Sequence, residues 1–518
     1  MSRPLNTWRL LLLFWLFFGG VLWLQDGLVL TSHWGDALHL IDILERVAGG
    51  QRPHQDFVTP IGALAFLPIA ILMEAGLPTG QAIFVAQFLL SGLFSACALA
   101  VAKNRVAPGW DLAFALCVLV TTISVAHGVP ESSLSINVHY NRWAWSIALV
   151  AALTALLAGE RFFAWEGLLI GAAMASLALI KVTYFVAFLP LVIIGLLLTR
   201  QVKLLALAAV TGVLVAILMT FIWGVAHWEG YAADLLFVSS RDSRPDAGAG
   251  IVMMLVGPLM WAPTVLALCA VIVLSFKERK REALLLVCAY IAGAYVSDQN
   301  AGHDPLFLGL LALLVLTWMH SFKGDQKTVL LIVASGLLLT VAPHLTNMAS
   351  SPFRAAMKNR SDFVPLLTVQ GRHQDILLAR AAAQQHGQVY FDSSFFGVEP
   401  EIAIFKGQPL PDCQSILSVR DLAVMAQDLE KFDSADGAAI FVADFLSPLW
   451  LFGEWPPLQG GAPWNYGGLH GIENAEFVLV PHCPNRPAVH RDILSNLDET
   501  RLTEVHRTDH FRLFEVAD

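Results

Sequence analysis

The sequence predicts a polytopic α-helical membrane protein, with about 11–13 transmembrane helices, followed by a small C-terminal α/β domain outside the membrane. Three observations predict it. Of 518 residues, 56% are hydrophobic and only 14% charged, whereas soluble domains carry about a quarter charged residues. Apolar runs long enough, or nearly long enough, to cross a bilayer recur through the first 345 residues. Charge is also unevenly divided. Residues 1–345 hold 19 basic and 19 acidic side chains, and residues 346–518 hold 13 and 22, so the whole net charge of −9 belongs to the C-terminal part. This composition excludes a disordered chain, a nucleic-acid binder and an ordinary cytosolic enzyme. It divides the chain into a multi-span part, 1–345, and a soluble part, 346–518, which is long enough to bury its own core.

A helix needs about 20 residues to cross the hydrocarbon. The apolar runs cover 9–30, 60–75, 79–102, 110–127, 143–159, 164–180, 182–199, 203–227, 251–276, 282–297, 304–320 and 327–345. The first follows Arg3 and Arg9, lacks a small-x-small cleavage site and leads into further runs, so it reads as a retained anchor. The run 60–75 is short and holds Pro68, which suits a re-entrant or interfacial segment. Lys and Arg gather in the connections 103–105, 160–161, 200–203, 277–281 and 323–327. Basic short loops favour the cytoplasm. The alternate connections, rich in His, Asp, Asn and Trp, then face outward together with the acidic C-terminal domain. The expected location is a cell inner membrane, with that domain in the periplasm.

In the C-terminal part, strand-like runs at 389–391, 438–442 and 477–480 alternate with helical stretches at 372–386 and 418–431. A closing hairpin over 502–516 completes a small α/β layer. Cys413 and Cys483 both fall here and can pair in an oxidising compartment. The aromatic-rich region 450–466 suits stacking on sugars or resting on the membrane surface.

The first outer loop, 31–59, is the most informative segment. Leu38, Ile41, Leu44 and Val47 recur at helical spacing, while Asp36, His39, Asp42 and Arg46 share the other face. This predicts an amphipathic helix along the membrane surface. Gly49-Gly50 ends it, and Pro53 and Pro60 frame an extended piece carrying Asp56. A carboxylate on a short helix just after the first span, then a Gly turn and Asp56-Phe57 before a Pro-led apolar segment, resembles the GT-C glycosyltransferases. The run 477–481 and the closing stretch 503–515 look like the last strands of soluble domains in that superfamily. The Lys-Pro-Pro-Leu motif of its aminoarabinose and protein-mannosyl branches is replaced by Thr59-Pro60-Ile61-Gly62, so no branch's substrates carry over.

The resemblance implies a fold of GT-C type and an integral membrane glycosyltransferase. Such an enzyme moves a sugar from a polyprenyl-phosphate carrier to a lipid, glycan or protein acceptor on the periplasmic side. Asp36 matches the position of the catalytic acid, and Asp56 matches a second acidic position. The chemistry of the residues runs parallel. A sugar hydroxyl is a poor nucleophile and needs a positioned base, which a partly desolvated Asp36 would supply. The leaving lipid phosphate needs cations or a metal. A divalent cation such as Mg²⁺ or Mn²⁺ would fall to Asp36, Asp56 and His39. Each residue also has a plainer reading: Asp36 as a helix N-cap, Asp56 as a turn former, and His39 as a lining residue. The pair Asp42 and Arg46 reads as a solvated i,i+4 face.

Further substrate-binding candidates lie in other outer segments. Arg142, in the cluster 127–143, offers a planar donor fork for a phosphate, or snorkels to headgroups, with Tyr140 and Trp143 as an aromatic belt. Lys181 is the only basic residue set between two apolar runs, where an ionisable group is a functional candidate or snorkels. Asn300 and His303, in the polar cluster 297–305, suit sugar hydroxyls or a plain turn. The stretch 231–250 reads as a lid or a linker. A transporter or flippase is the competing class, and a polysaccharide polymerase or ligase of the cell envelope shares the expected chemistry. Polar residues gather at the outer ends of the apolar runs, which favours a one-sided active site over alternating access.

Overall fold

The computed structural model describes residues 6–129, 131–136, 138–240, 252, 256–300, 304–369, 371–384, 403–411, 413 and 417–517. Apolar runs free of internal charge form helices because each backbone group then finds its partner within its own segment. The helices are α1 (Thr7–Trp23), α2 (Trp34–Ala48), α3 (Leu67–Glu74), α4 (Thr79–Ala102), α5 (Trp110–Ile123), α6 (His139–Leu156) and α7 (Ala164–Ile180). They continue as α8 (Val182–Leu198), α9 (Val202–Trp223), α10 (Val225–Ser239), α11 (Pro258–Phe276), α12 (Lys280–Gln299), α13 (Phe307–Trp318) and α14 (Gly324–Ala356).

Among the described residues, four helices, α4, α9, α11 and α14, are long and apolar enough to cross a membrane. The shorter apolar helices include α1, α5, α7 and α8. The outward faces are apolar too: Leu214, Ile217 and Phe221 of α9 and Leu339 of α14 are exposed, Phe221 to 88%. Helix α3 is only eight residues, about 12 Å long, so the run 60–75 is too short to span about 30 Å of hydrocarbon.

Helix α6 is buried along its whole length and packs against α4, α5, α7 and α8. From Trp143 onward its only polar side chains are Ser146 and Thr154, and a stretch so apolar belongs in a core. Tyr140 and Trp143 are therefore buried core residues, which corrects the expectation of an interfacial aromatic belt.

Two groups of basic connections converge. Arg105 forms a bidentate pair with Glu166, its Nη2 at 2.7 Å from Oε2. Asn104 donates to the Arg161 carbonyl at 2.8 Å, and Gln201 lies beside Arg105 at 3.5 Å. Arg279 reaches Ser321 at 2.8 Å, joining the connections before α12 and α14.

Strand β1 (Leu28–Leu30) lies between α1 and α2. It pairs in parallel with β3 (Ile376–Ala379), whose other edge pairs antiparallel with β2 (Phe363–Pro365). The helix expected over 372–386 is thus interrupted, its middle residues 376–379 forming a strand. Only α15 (Arg380–Gln384) is helical, because β3 gains ladder partners on both edges that outweigh its local helix preference. Helix α14 runs through the expected boundary at 345 as far as Ala356. The expected strand at 389–391 lies outside the described residues.

Beyond the short hairpin β4 (Ile404–Phe405) and β5 (Gln408–Pro409), the expected layer forms. Helix α16 (Val419–Leu429) opens with a Ser418–Asp421 capping box. Strands β6 (Ile440–Val442), β7 (Phe477–Pro481), β8 (Leu502–Arg507) and β9 (Phe511–Val516) make one sheet in the order β6-β7-β9-β8. Helix α17 (Pro487–Asn496) connects β7 to β8. A disulfide joins Cys413 to Cys483.

Candidate functional site

The chain turns into α2 at His33, whose φ of 56° places it in the left-handed region. His33, not Asp36, is the N-cap residue. Asp36 falls in the first helical turn, where the helix dipole favours a negative charge. The expected surface helix is in fact enclosed. Leu38, Ile41 and Leu44 are buried, and so are His39, Asp42 and Arg46 on the opposite face.

The aromatic region 450–466 covers that polar face. Arg46 Nε donates to Asp42 Oδ1 at 2.6 Å, and Arg46 Nη1 donates to the Leu458 carbonyl at 2.9 Å. Trp450 Nε1 donates to the other Asp42 oxygen at 3.0 Å. Burial raises the Asp42 carboxyl above its ordinary range, while the Arg46 guanidinium and the Trp450 indole oppose the rise. The solvated-face expectation fails because a segment some 410 residues away packs onto it; local spacing carries no trace of that.

Asp36 lines a small pocket together with His39, Phe66, His139, Tyr140 and Trp464. Helix α2, the start of α6 and the aromatic region 450–466 each contribute a wall. The His39 ring stacks on Trp464 with centroids 3.6 Å apart. Burial pushes its imidazole down to about 3, so it is neutral at ordinary pH. Among the described residues, its buried Nε2 has no hydrogen-bond partner.

Tyr140 connects this pocket to a cationic cluster. Lys181 occupies the extended break between α7 and α8, with its Nζ 5.5 Å from the Tyr140 ring centroid. The same ammonium donates to Asn141 Oδ1 at 3.0 Å and to Asn300 Oδ1. Asn300 Nδ2 in turn faces the Tyr184 hydroxyl at 3.4 Å. Arg142 is fully buried next to these residues, and the Asp304 carboxylate acts on it electrostatically. The alternative in which Arg142 snorkels out to lipid headgroups is corrected: α6 is buried along its length, so its guanidinium is enclosed.

His303 and residues 241–251 lie outside the described residues. The part of the expected lid that is described, 231–240, is the second half of α10 and its C-cap Ser240. That helix is pinned to the segment between α2 and α3, with Asp234 Oδ2 2.8 Å from His54 Nδ1 and accepting from the Thr59 N–H at 3.1 Å.

Asp56 stands apart from the pocket. Its Oδ2 accepts from the Arg52 N–H at 2.7 Å, and its Oδ1 accepts from Gln459 at 3.4 Å. It shapes a tight turn and ties that turn to the aromatic region 450–466. Among the described residues, Asp36, Asp56 and His39 form no metal-compatible set; His33, His127 and Glu131 do, with one ligand atom from each lying within 4.8 Å of the others. Sequence reasoning missed this triad. The available signal was His127 four residues before Glu131, in the segment that follows α5, together with His33 three residues before Asp36.

No protein-family model matches the chain, and no curated protein matches it.

Proposed function

We propose that this chain is an integral membrane glycosyltransferase of GT-C type. In this reading it moves a sugar from a polyprenyl-phosphate carrier to an acceptor at the periplasmic face. The observation that carries the reading is the continuity from Asp36, through the pocket it shares with Tyr140 and Trp464, to Lys181 and its asparagine partners. A carboxylate at one end can take a proton from an acceptor hydroxyl. A cation at the other can receive the charge developing on the phosphate leaving group. His39 and Trp464 between them offer a ring face and an uncommitted nitrogen to a sugar. The exposed apolar faces of α9 and α14 support insertion in a bilayer, since exposed patches of that kind seek a non-aqueous partner. The Cys413–Cys483 disulfide supports an oxidising compartment for the C-terminal domain.

Lys181→Met tests the phosphate end. A charge-assisted hydrogen bond contributes about 1.5–3 kcal/mol, so carrier binding should weaken by about 10- to 100-fold. The measurement is polyprenyl-phosphate binding to the purified full chain, and unchanged affinity removes Lys181 from the site. Orientation is read separately by cysteine labelling. An impermeant maleimide should reach Ser132→Cys in intact cells and Lys277→Cys only after permeabilisation. The opposite pattern inverts the assignment of sides.

A further inference from the structure

The entry to the first outer loop and the segment after α5 bring together side chains that the sugar-transfer reading does not use. His127 Nε2 lies 2.8 Å from Glu131 Oε1, and His33 Nε2 lies 3.9 Å from the same oxygen. The two imidazole rings meet edge to face, with centroids 5.0 Å apart. One nitrogen from each ring and the carboxylate oxygen thus lie within 4.8 Å of one another. Behind His33, its Nδ1 lies 3.7 Å from Asp36 Oδ2.

The backbone carrying these groups is held from two sides. Thr31 and Leu134 bond each other, the Thr31 N–H donating to the Leu134 carbonyl at 2.9 Å and the Leu134 N–H donating to Thr31 Oγ1 at 2.8 Å. Asn347 of α14 donates to the carbonyls of His127 and Val129 at 2.9 and 2.7 Å. Arg354 of the same helix donates to the Ser132 carbonyl at 2.6 Å. Ligands placed before any ion arrives are what a preorganised site requires. His33 and Glu131 are 40% and 44% exposed, leaving a route for an ion from solvent.

We infer that His33, His127 and Glu131 form a three-ligand site for a divalent transition-metal ion of the zinc class, with Asp36 as the carboxylate that orients His33. Two imidazoles and one carboxylate suit zinc-like ions rather than Mg²⁺ or Ca²⁺, which take oxygen ligands. Three protein ligands leave one position open, the arrangement of catalytic rather than structural zinc sites. A carboxylate behind a ligating histidine fixes its ring and its tautomer, as outer-sphere partners of metal-bound histidines commonly do. Asp36 then faces the metal on one side and lines the pocket on the other.

The test uses the full chain, purified in detergent with a tag free of histidine, stripped with chelator and titrated with Zn²⁺ or Co²⁺ alone. About one ion per chain should bind, and Co²⁺ should develop the visible absorption of a low-coordinate nitrogen–oxygen site. His127→Ala and Glu131→Gln should lose the ion. His33→Asn should lose it as well, and because Asn tolerates the left-handed backbone at that position it keeps the fold. Asp36→Asn should weaken binding by about 10- to 100-fold without abolishing it. An ion retained equally by the His33 and His127 variants, or no ion bound by the parent chain, overturns the inference. The readout is independent of sugar transfer: zinc bound by an inactive chain removes the glycosyltransferase reading alone, and transfer without a bound ion removes the metal site alone.

Discussion

Replacing Asp36 with Asn should abolish sugar transfer while leaving the protein folded and inserted. A positioned general base contributes about 10²- to 10⁴-fold to a rate, and a loss of that order is the expected reading. Asn keeps the size of the side chain, and Asp36 is not the N-cap of α2, so the helix does not depend on its charge for capping. The pocket walls come from α2, α6 and the aromatic region 450–466 and should persist in the variant. The assay is transfer from a polyprenyl-phosphate sugar in membranes, with carrier binding measured alongside. Loss of turnover with carrier affinity retained is the signature of a base, and Lys181→Met should show the reverse split. Undiminished transfer by the Asn variant ends the proposed mechanism.

The second large effect concerns the opposite end of the helical bundle. Arg105 and Glu166 are almost completely enclosed, at 0% and 1% side-chain exposure. The guanidinium uses both forks on the carboxylate and also donates to the Leu157 carbonyl at 3.0 Å. Removing one member of such a pair leaves an uncompensated buried charge, at a cost of about 3–5 kcal/mol. Arg105→Leu or Glu166→Leu alone should therefore sharply lower the thermal transition of the detergent-solubilised chain. The double variant removes both charges at once and should recover much of the loss. Equal destabilisation by the double and single variants would show that the pair's packing matters more than its charge.

Much of the helical layout is legible in composition and periodicity, because an apolar run of sufficient length has few alternatives to a helix. The end of α2 at Gly49, the helix beginning near 418 and the last hairpin all follow from local rules, and the structure holds them where the sequence indicates. The candidate site is less legible, since its meaning depends on what packs onto it. Asp36, Lys181 and Asn300 can be singled out by type and position, yet nothing local reveals that Tyr140 joins the first to the other two. Asp42 and Arg46 look solvated until Trp450 and Leu458 cover them. The strand at 376–379 looks helical until the partners at 28–30 and 363–365 are known. His33 and Glu131 gain significance only when α14 holds the intervening turn in place. Long-range pairing is the common cause of each difference, and pairing between distant segments leaves little mark on either one.

The parallel pairing of Leu28 with Ile376 and of Leu30 with Leu378 has a consequence for how the chain is made. The partner strand emerges from the ribosome about 350 residues after β1. At about 5–20 residues per second, that is a wait of roughly 20–70 s. Throughout that interval the segment leading into Asp36 has an unfilled strand edge and no aromatic cover. The pocket can close only near the end of synthesis, so a nascent chain stalled before residue 376 should hold all of its early helices and no working site.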